Sequence, residues 1–297
     1  MIIVSIYGGL GNQMFQYACA KALALRLGVE LELDISLVCD RTESENFTFR
    51  NYELDAFNII DQIANINVVR KYVPNIYNAS DLSKKLFKIK RFLTRKTFYY
   101  EKTKFQFENR INLINDNSLI FGYFQTEKYF LSIREELLKI FTLKEVIVNE
   151  NRLILNDINK NNSVSIHIRR GDYLKLSYQE LDIQNYYSKA IEIIREKVKN
   201  AVFYIFSDDQ LWVEENFKQF DIEKVVIKNN IGKKSFMDLF LMSQCKYNIC
   251  ANSTFSWWGA WLNTYPDKIV IAPKKWFKEG EFEKCTYDLI PVDWLQI

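Results

Sequence analysis

Apolar runs and alternating segments divide this chain at both ends more clearly than in its middle. Residues 2–7 are apolar and β-branched, as in a strand buried on both faces. Gly8-Gly9-Leu10-Gly11 reads as a turn, and residues 14–27, rich in Ala and Leu, as a helix with Gly28 at its C′ position. Val29, Leu31, Leu33 and Ile35 alternate with charged residues and predict a second strand. The first 35 residues thus predict a parallel βαβ unit with a right-handed crossover. From Ser163 the rhythm returns, with strands expected at 164–168, 202–206, 225–227, 247–251 and 269–272. Helices are expected between them at 184–199, 209–217, 236–243 and 255–263. That alternation predicts an α/β fold with a doubly wound parallel sheet. Between these regions, 119–124 reads as a strand and 127–141 as a helix. The Asn-rich stretch 149–162 is the expected domain boundary, separating 1–155 from 156–297.

Charge adds mainly exclusions. Lys+Arg is 40 and Asp+Glu 37, a net charge of +3, far from the basic excess of a general nucleic-acid binder. His167 is the one histidine, so multi-histidine metal sites are excluded and any histidine-activated nucleophile must use it. Five cysteines without a CxxC spacing read as free thiols of a reducing compartment. The N-terminus lacks the basic and apolar regions of a signal peptide, and a cytoplasmic protein is expected. One local excess stands out: nine Lys/Arg and one Glu lie from Lys84 to Lys104, interleaved with Leu86, Phe87, Ile89, Phe92 and Leu93. An amphipathic helix is expected there, either a solvated basic face or a peripheral contact with an anionic membrane surface or lipid-linked acceptor.

The chemistry gathers where strands end, the place ligands take in open α/β sheets. One predicted strand ends in His167-Ile168-Arg169-Arg170-Gly171-Asp172, a second in Ser207-Asp208-Asp209, and a third in Asn252-Ser253-Thr254-Phe255. Residues 151–297 hold four arginines, two of them adjacent here. Neighbours on a strand face opposite ways, so one arginine can face a cleft while the other pairs inward, with Asp172 a candidate partner. The guanidinium fork suits phosphate oxygens, and Asn252-Ser253-Thr254 sits at a helix start where backbone amides bind phosphate. Ser253 or Thr254 could equally be a plain N-cap. Asp208 and Asp209 can serve a nucleobase or ribose, or cap a helix. His167 can be a general base or a buried neutral group that positions the loop.

Gly9-x-Gly11 after a strand, with Asp34 ending the next strand, imitates a dinucleotide fingerprint and makes an NAD-dependent oxidoreductase the rival reading. Met14 stands where the third glycine belongs, which breaks the fingerprint. Asn12 and Gln13 can instead offer side-chain amides to a sugar or phosphate.

Gly8-Gly9-Leu10-Gly11-Asn12-Gln13-Met14-Phe15-Gln16-Tyr17 resembles the N-terminal signature of the α-1,2-fucosyltransferases, glycosyltransferase family eleven. His167-Ile168-Arg169-Arg170-Gly171-Asp172 resembles a motif shared by the α-1,2, α-1,6 and protein O-fucosyltransferases. Ser207-Asp208-Asp209 with Trp212, and Asn252-Ser253-Thr254-Phe255-Ser256-Trp257-Trp258-Gly259, are similar to further family motifs in the right order. The resemblance implies a GT-B-type fold of two Rossmann-like domains facing a cleft, acceptor side first and donor side second. It implies GDP-β-L-fucose as donor, inversion of configuration, no metal or other cofactor, and a galactose-terminated acceptor in a surface glycan or O-antigen. By motif, Arg169 would hold the diphosphate and Asp172 would order that loop. Ser253, Thr254 and Phe255 would contact the phosphates, and Asp208 or Asp209 would serve the guanosine. Asn12, beside Gly9 and Gly11, would approach the fucose or β-phosphate. The acceptor hydroxyl must lose a proton, and Asp172, His167, Glu180 and Asp182 are the candidates to assist. The family's animal members carry a membrane anchor and stem, so a bacterial form working at the inner face of the membrane is expected. A different linkage or acceptor, and a nucleotide-sugar-binding module without catalysis, are the alternatives.

Overall fold

The computed structural model describes residues 1–40, 50–72, 97–171, 183–230, 232–277 and 286–297. Its contacts divide the chain into two compact units. Unit 1 comprises Met1–Thr142 with Tyr287–Leu289, and unit 2 comprises Leu143–Thr286 with Ile290–Ile297. Both are α/β with wholly parallel described sheets, the fold class expected; two such units in one chain are the two Rossmann-like domains of a GT-B-type protein.

Unit 1 contains β1 (Ile2–Ser5), α1 (Leu10–Leu27), β2 (Leu31–Asp34), α2 (Ser36–Cys39), β3 (Gln62–Ile63), α3 (Ile66–Val69), β4 (Thr97–Tyr100), β5 (Ser118–Phe121) and α4 (Arg134–Ile140). The strand order is β3-β2-β1-β5-β4. β1 is central and buried throughout, as its unbroken apolar run requires. The helix after it starts at Leu10 rather than Met14, so Gly11, Asn12 and Gln13 belong to its first turn. Extended Gly9 provides the N-cap, its carbonyl accepting the N–H groups of Asn12 (2.9 Å) and Gln13 (3.1 Å). The helix expected over 127–141 is shorter. Two 3-10 turns, Glu127–Tyr129 and Leu131–Ile133, precede α4, because Phe130 takes an extended φ of −142° while its fully buried ring packs on Phe15. Asp288 ties the returning segment to unit 1, accepting the Phe107 N–H at 2.9 Å and pairing with Lys128.

Unit 2 opens with α5 (Asn149–Lys160), followed by β6 (Asn162–Ile168), α6 (Ile183–Lys197), β7 (Ala201–Ser207), α7 (Gln210–Asn216), β8 (Lys224–Val226), α8 (Ser235–Gln244), β9 (Tyr247–Ile249), α9 (Thr254–Trp261), β10 (Val270–Ala272) and β11 (Leu295–Gln296). The Asn-rich stretch expected as a boundary is therefore helix α5, and a division at 155/156 would cut it; the contacts divide at Thr142/Leu143. Ile158 buries the inner stripe of this amphipathic helix. The sheet order is β11-β10-β9-β6-β7-β8. Strands added after β6 run first to β7 and β8, and then to its other side as β9, β10 and β11. The order reverses between β6 and β9, and the ligand crevice of such a sheet lies outside the C-terminal ends of those two strands.

The expected basic helix from Lys84 to Lys104 is corrected in part: Thr97–Tyr100 is strand β4, followed by a turn that holds Lys104. Residues 84–96 lie outside the described residues, as do Asp172, Glu180 and Asp182. No described helix is long and apolar enough to cross a membrane.

Candidate active site

β6 and β7 pair in register from Asn162↔Ala201 to Ile168↔Ser207, so the residues after them arrive side by side. Arg169 Nη1 lies 2.8 Å from Asp208 Oδ2, with a quarter of each side chain exposed. The Arg170 N–H donates to Asp208 Oδ1 at 2.9 Å. Gly171 lies close beside them, where a Cβ would stand 2.6 Å from Asp208 Oδ2 and would push that carboxylate aside. Arg170 Nε donates to Asp209 Oδ2 at 3.1 Å, and its guanidinium lies 4.1 Å from the centre of the Trp212 ring. Asp209 also caps α7 by accepting the Trp212 N–H at 3.1 Å. Two arginines and two aspartates thus form one charge-balanced cluster. Arg170 is fixed by a carboxylate and an indole, whereas Arg169 keeps more of its fork in solvent. Among the described residues the inward partner of Arg170 is Asp209, while the candidate Asp172 lies outside them. The helix-capping role holds for Asp209, and both aspartates also orient arginines.

His167 lies on β6, 5% exposed, with its ring tilted against Phe255 at 5.5 Å between centres. Its Nδ1 has no hydrogen-bond partner among the described residues. Burial drives its pKa down to about 4; Asp208 opposes that shift and Arg169 adds to it. A neutral imidazole of such low basicity is a poor general base at pH 7, which favours the positioning role.

β9 leads to the N-terminus of α9 on the other side of β6. Ser253 is its N-cap, with Oγ accepting the Phe255 N–H at 3.3 Å. Asn252 is buried and donates from Nδ2 to the Trp276 carbonyl at 2.9 Å, which fixes the approach to the helix. Thr254 and Phe255 remain partly exposed at the first turn. The body of α9 is anchored by Trp257, Trp258 and Trp261, whose rings contact one another, with Trp294 against Trp257. The reversal point of the sheet therefore has an arginine on one side and a firmly held helix N-terminus on the other. A guanidinium and a helix N-terminus are both groups suited to an anion.

Two residues of this edge escaped sequence reasoning. Tyr187 donates its hydroxyl to the His167 carbonyl at 2.7 Å, and Tyr186 donates to the carbonyls of Cys250 (2.7 Å) and Ile271 (3.2 Å). These α6 tyrosines tie down the ends of β6, β9 and β10. In the sequence they show only as adjacent aromatics in an amphipathic helix.

Gly9, Gly11 and Asn12 are placed at the C-terminal edge of the unit 1 sheet. Asn12 Oδ1 accepts from Gln125 Nε2 at 2.7 Å. Gln13 is corrected as a ligand candidate. It is fully buried, donating to the carbonyls of Gly8 (2.8 Å) and Asn51 (2.7 Å) and accepting the Glu53 N–H (3.0 Å). Asp34, the acid of the dinucleotide imitation, is likewise buried; it accepts from Ser5 Oγ at 2.9 Å and from the Ser36 N–H at 3.1 Å.

Comparison with known proteins shows the family. The profile of Glycosyl transferase family 11 matches residues 1–297. The chain belongs to glycosyltransferase family 11. This family 11 chain is 36% identical over 298 residues to O-antigen biosynthesis glycosyltransferase WbnK of Escherichia coli, covering 95% of this chain and 96% of that protein. It is 35% identical over 305 residues to an Alpha-1,2-colitosyltransferase of the same species, covering 100% and 99%. Galactoside alpha-(1,2)-fucosyltransferase 2 of Rattus norvegicus is 29% identical over 150 residues, 48% of this chain and 42% of that protein. A solved structure of NodZ alpha-1,6-fucosyltransferase soaked with GDP-fucose aligns at TM-score 0.48 and 14% identity, covering 88% and 92%.

Proposed function

We propose that this family 11 glycosyltransferase moves L-fucose from GDP-β-L-fucose, with inversion, to the 2-hydroxyl of a terminal β-galactoside in a surface glycan or O-antigen. The observation that carries the reading is the placement of Arg169 after β6 and of the α9 N-terminus after β9, on either side of the reversal point between those strands. In this reading the donor diphosphate is held there. Bond cleavage leaves negative charge on GDP, and the Arg169 guanidinium with the first-turn amides of α9 stabilises it in place, with no metal required. Asp208 holds the Arg169 fork before the donor arrives. Thr254 and Phe255 face the phosphates, and Asp208 or Asp209 serves the guanosine end. Asn12, beside Gly9 and Gly11, would meet the fucose or β-phosphate. A stabilised leaving group lets the sugar develop oxocarbenium character, so the acceptor hydroxyl needs only weak base assistance. By the family motif Asp172 would order the loop it belongs to and, with Glu180 and Asp182, is a candidate for that assistance.

The 35% identity to a colitosyltransferase favours a second reading of the donor. Colitose is L-fucose without its 3-hydroxyl, so the same phosphate site would serve with a different sugar pocket. We place the reaction in the cytoplasm at the inner face of the membrane, where the basic segment from Lys84 to Lys104 would meet anionic lipid or a lipid-linked acceptor. GDP release from GDP-fucose and from the 3-deoxy donor, over lactose and other galactosides, with and without chelator, tests these readings together. Linkage analysis of the product completes the test. Loss of activity on chelation would overturn the metal-free mechanism, and transfer from neither donor would overturn the assignment.

A further inference from the structure

The unit 1 sheet has its own reversal point. β1 is flanked by β2 and β3 on one side and by β5 and β4 on the other, so the crevice lies outside the C-terminal ends of β1 and β5. Asn12 comes from the helix that follows β1 and Gln125 from the turn that follows β5. The 2.7 Å hydrogen bond from Gln125 Nε2 to Asn12 Oδ1 joins those two strand ends. It also fixes the Asn12 side chain at that edge, with its oxygen engaged by Gln125.

The turn that carries Gln125 is gripped by one carboxylate. Glu101, which follows β4, is 4% exposed. Its Oε2 accepts the N–H groups of Tyr123 (2.7 Å) and Phe124 (3.0 Å), and its Oε1 lies 3.2 Å from the Phe124 nitrogen. Phe124 sits at φ 53°, a left-handed conformation that a bulky residue keeps only where its surroundings hold it. At Gly122 a Cβ would come within 2.5 Å of Glu101 Cβ and 2.8 Å of Oε2. The whole turn from 122 to 125 is therefore fitted around this side chain. We propose that Glu101 is a positioning residue for the transfer reaction: it holds the 122–125 turn so that Gln125 fixes the Asn12 side chain at the crevice edge of the unit 1 sheet. This rests on the role given to Asn12 above.

Burial, at a cost an uncharged clamp would avoid, raises the Glu101 pKa to about 7; the Phe124 and Tyr123 amides oppose that rise, Glu108 adds to it and Lys104 opposes it. Tyr7, Cys19 and Tyr129 also face the carboxylate. A perturbed, buried carboxylate beside a ligand crevice is a recurrent mark of functional positions.

The test is a double-mutant cycle read as kcat for GDP release from GDP-fucose with a β-galactoside acceptor. Glu101→Gln, Gln125→Ala and Asn12→Ala should each lower kcat roughly 10- to 100-fold with little change in acceptor KM, since a displacement near 1 Å has that effect. Glu101→Gln combined with Asn12→Ala should be no slower than Asn12→Ala alone, because both act through one amide. Losses that multiply would overturn the proposal while leaving the role of Asn12 intact, and so would unchanged kcat in Gln125→Ala. If Glu101→Gln fails to fold, Gln125→Ala with Asn12→Ala decides the matter in the same way, with the buried carboxylate untouched. Wild-type kcat in Asn12→Ala would instead refute the role of Asn12 itself.

Discussion

Replacing Arg169 by alanine separates stability from catalysis. In the structure its described ion pair is with Asp208, 2.8 Å away, and a quarter of each side chain is exposed. Partly solvated pairs contribute about 1 kcal/mol or less, so Arg169→Ala should leave the fold intact. A loss of about 1 kcal/mol corresponds to a Tm shift of roughly 2–4 °C for domains of about 150–250 residues. The catalytic loss should be far larger. Removing one fixed donor aimed at developing negative charge typically costs about 3–4 kcal/mol, or roughly 10²–10³ in kcat. GDP release from GDP-fucose measured beside calorimetric Tm reads both quantities. Arg169→Lys should fall between, keeping the charge but losing the fork that Asp208 orients. Near-normal turnover in Arg169→Ala would refute its role at the diphosphate. A collapse of Tm together with activity would show that the cluster is structural.

Three further outcomes are expected. The resonances of His167, the one imidazole in the chain, should not titrate between pH 5 and 8 in the folded enzyme, because burial holds its pKa down to about 4; a midpoint near 6.5 would contradict its burial. A folded-state value below the unfolded one means that its contribution to stability is complete above about pH 6.5 and fades as pH falls toward 4, which acid unfolding of a His167→Gln control should show. Gly122→Ala should destabilise by about 1–3 kcal/mol through overpacking, since the added Cβ meets Glu101 Cβ at 2.5 Å and Phe124 Cζ at 2.9 Å; unchanged thermal unfolding would show that the turn yields freely. Ser253→Ala should cost about 1 kcal/mol through loss of the α9 cap and should also raise the KM for the donor, whereas a stability effect with unchanged KM would restrict Ser253 to capping.

The strands of unit 2 were legible by two patterns: β7 reads as a continuous apolar run, and in β6 the apolar Val164, Ile166 and Ile168 alternate with Ser165 and His167. The strand ends alone were enough to place Arg169, Asp208 and Ser253 on one edge. The pairing among them was not legible. Register decides that Arg169 meets Asp208 while Arg170 meets Asp209, and register is a property of two strands together. Helix α5 escaped because four asparagines weaken its propensity, and one fully buried side chain, Ile158, sets its inner face. Strand β3, two exposed residues at the sheet edge, offers almost no alternation to read. Glu101 was invisible for a different reason: nothing local distinguishes a glutamate that grips a turn more than twenty residues later from one in solvent.

The segment from Tyr287 to Leu289 has a consequence during synthesis. As the chain emerges from the ribosome, residues 1–142 appear early, yet the unit they build is completed only after nearly all of unit 2 has been made. Until then the Phe107 N–H and Lys128 lack Asp288, and the buried side chain of Leu289 is missing. An unpaired amide costs about 1–3 kcal/mol and a vacated leucine site about 2–5 kcal/mol, comparable with the whole stability of many domains. The nascent first unit would therefore wait in a loosened state for three late residues, and a gene cut at codon 142 should yield a fragment that needs those residues supplied in trans to become protease-resistant.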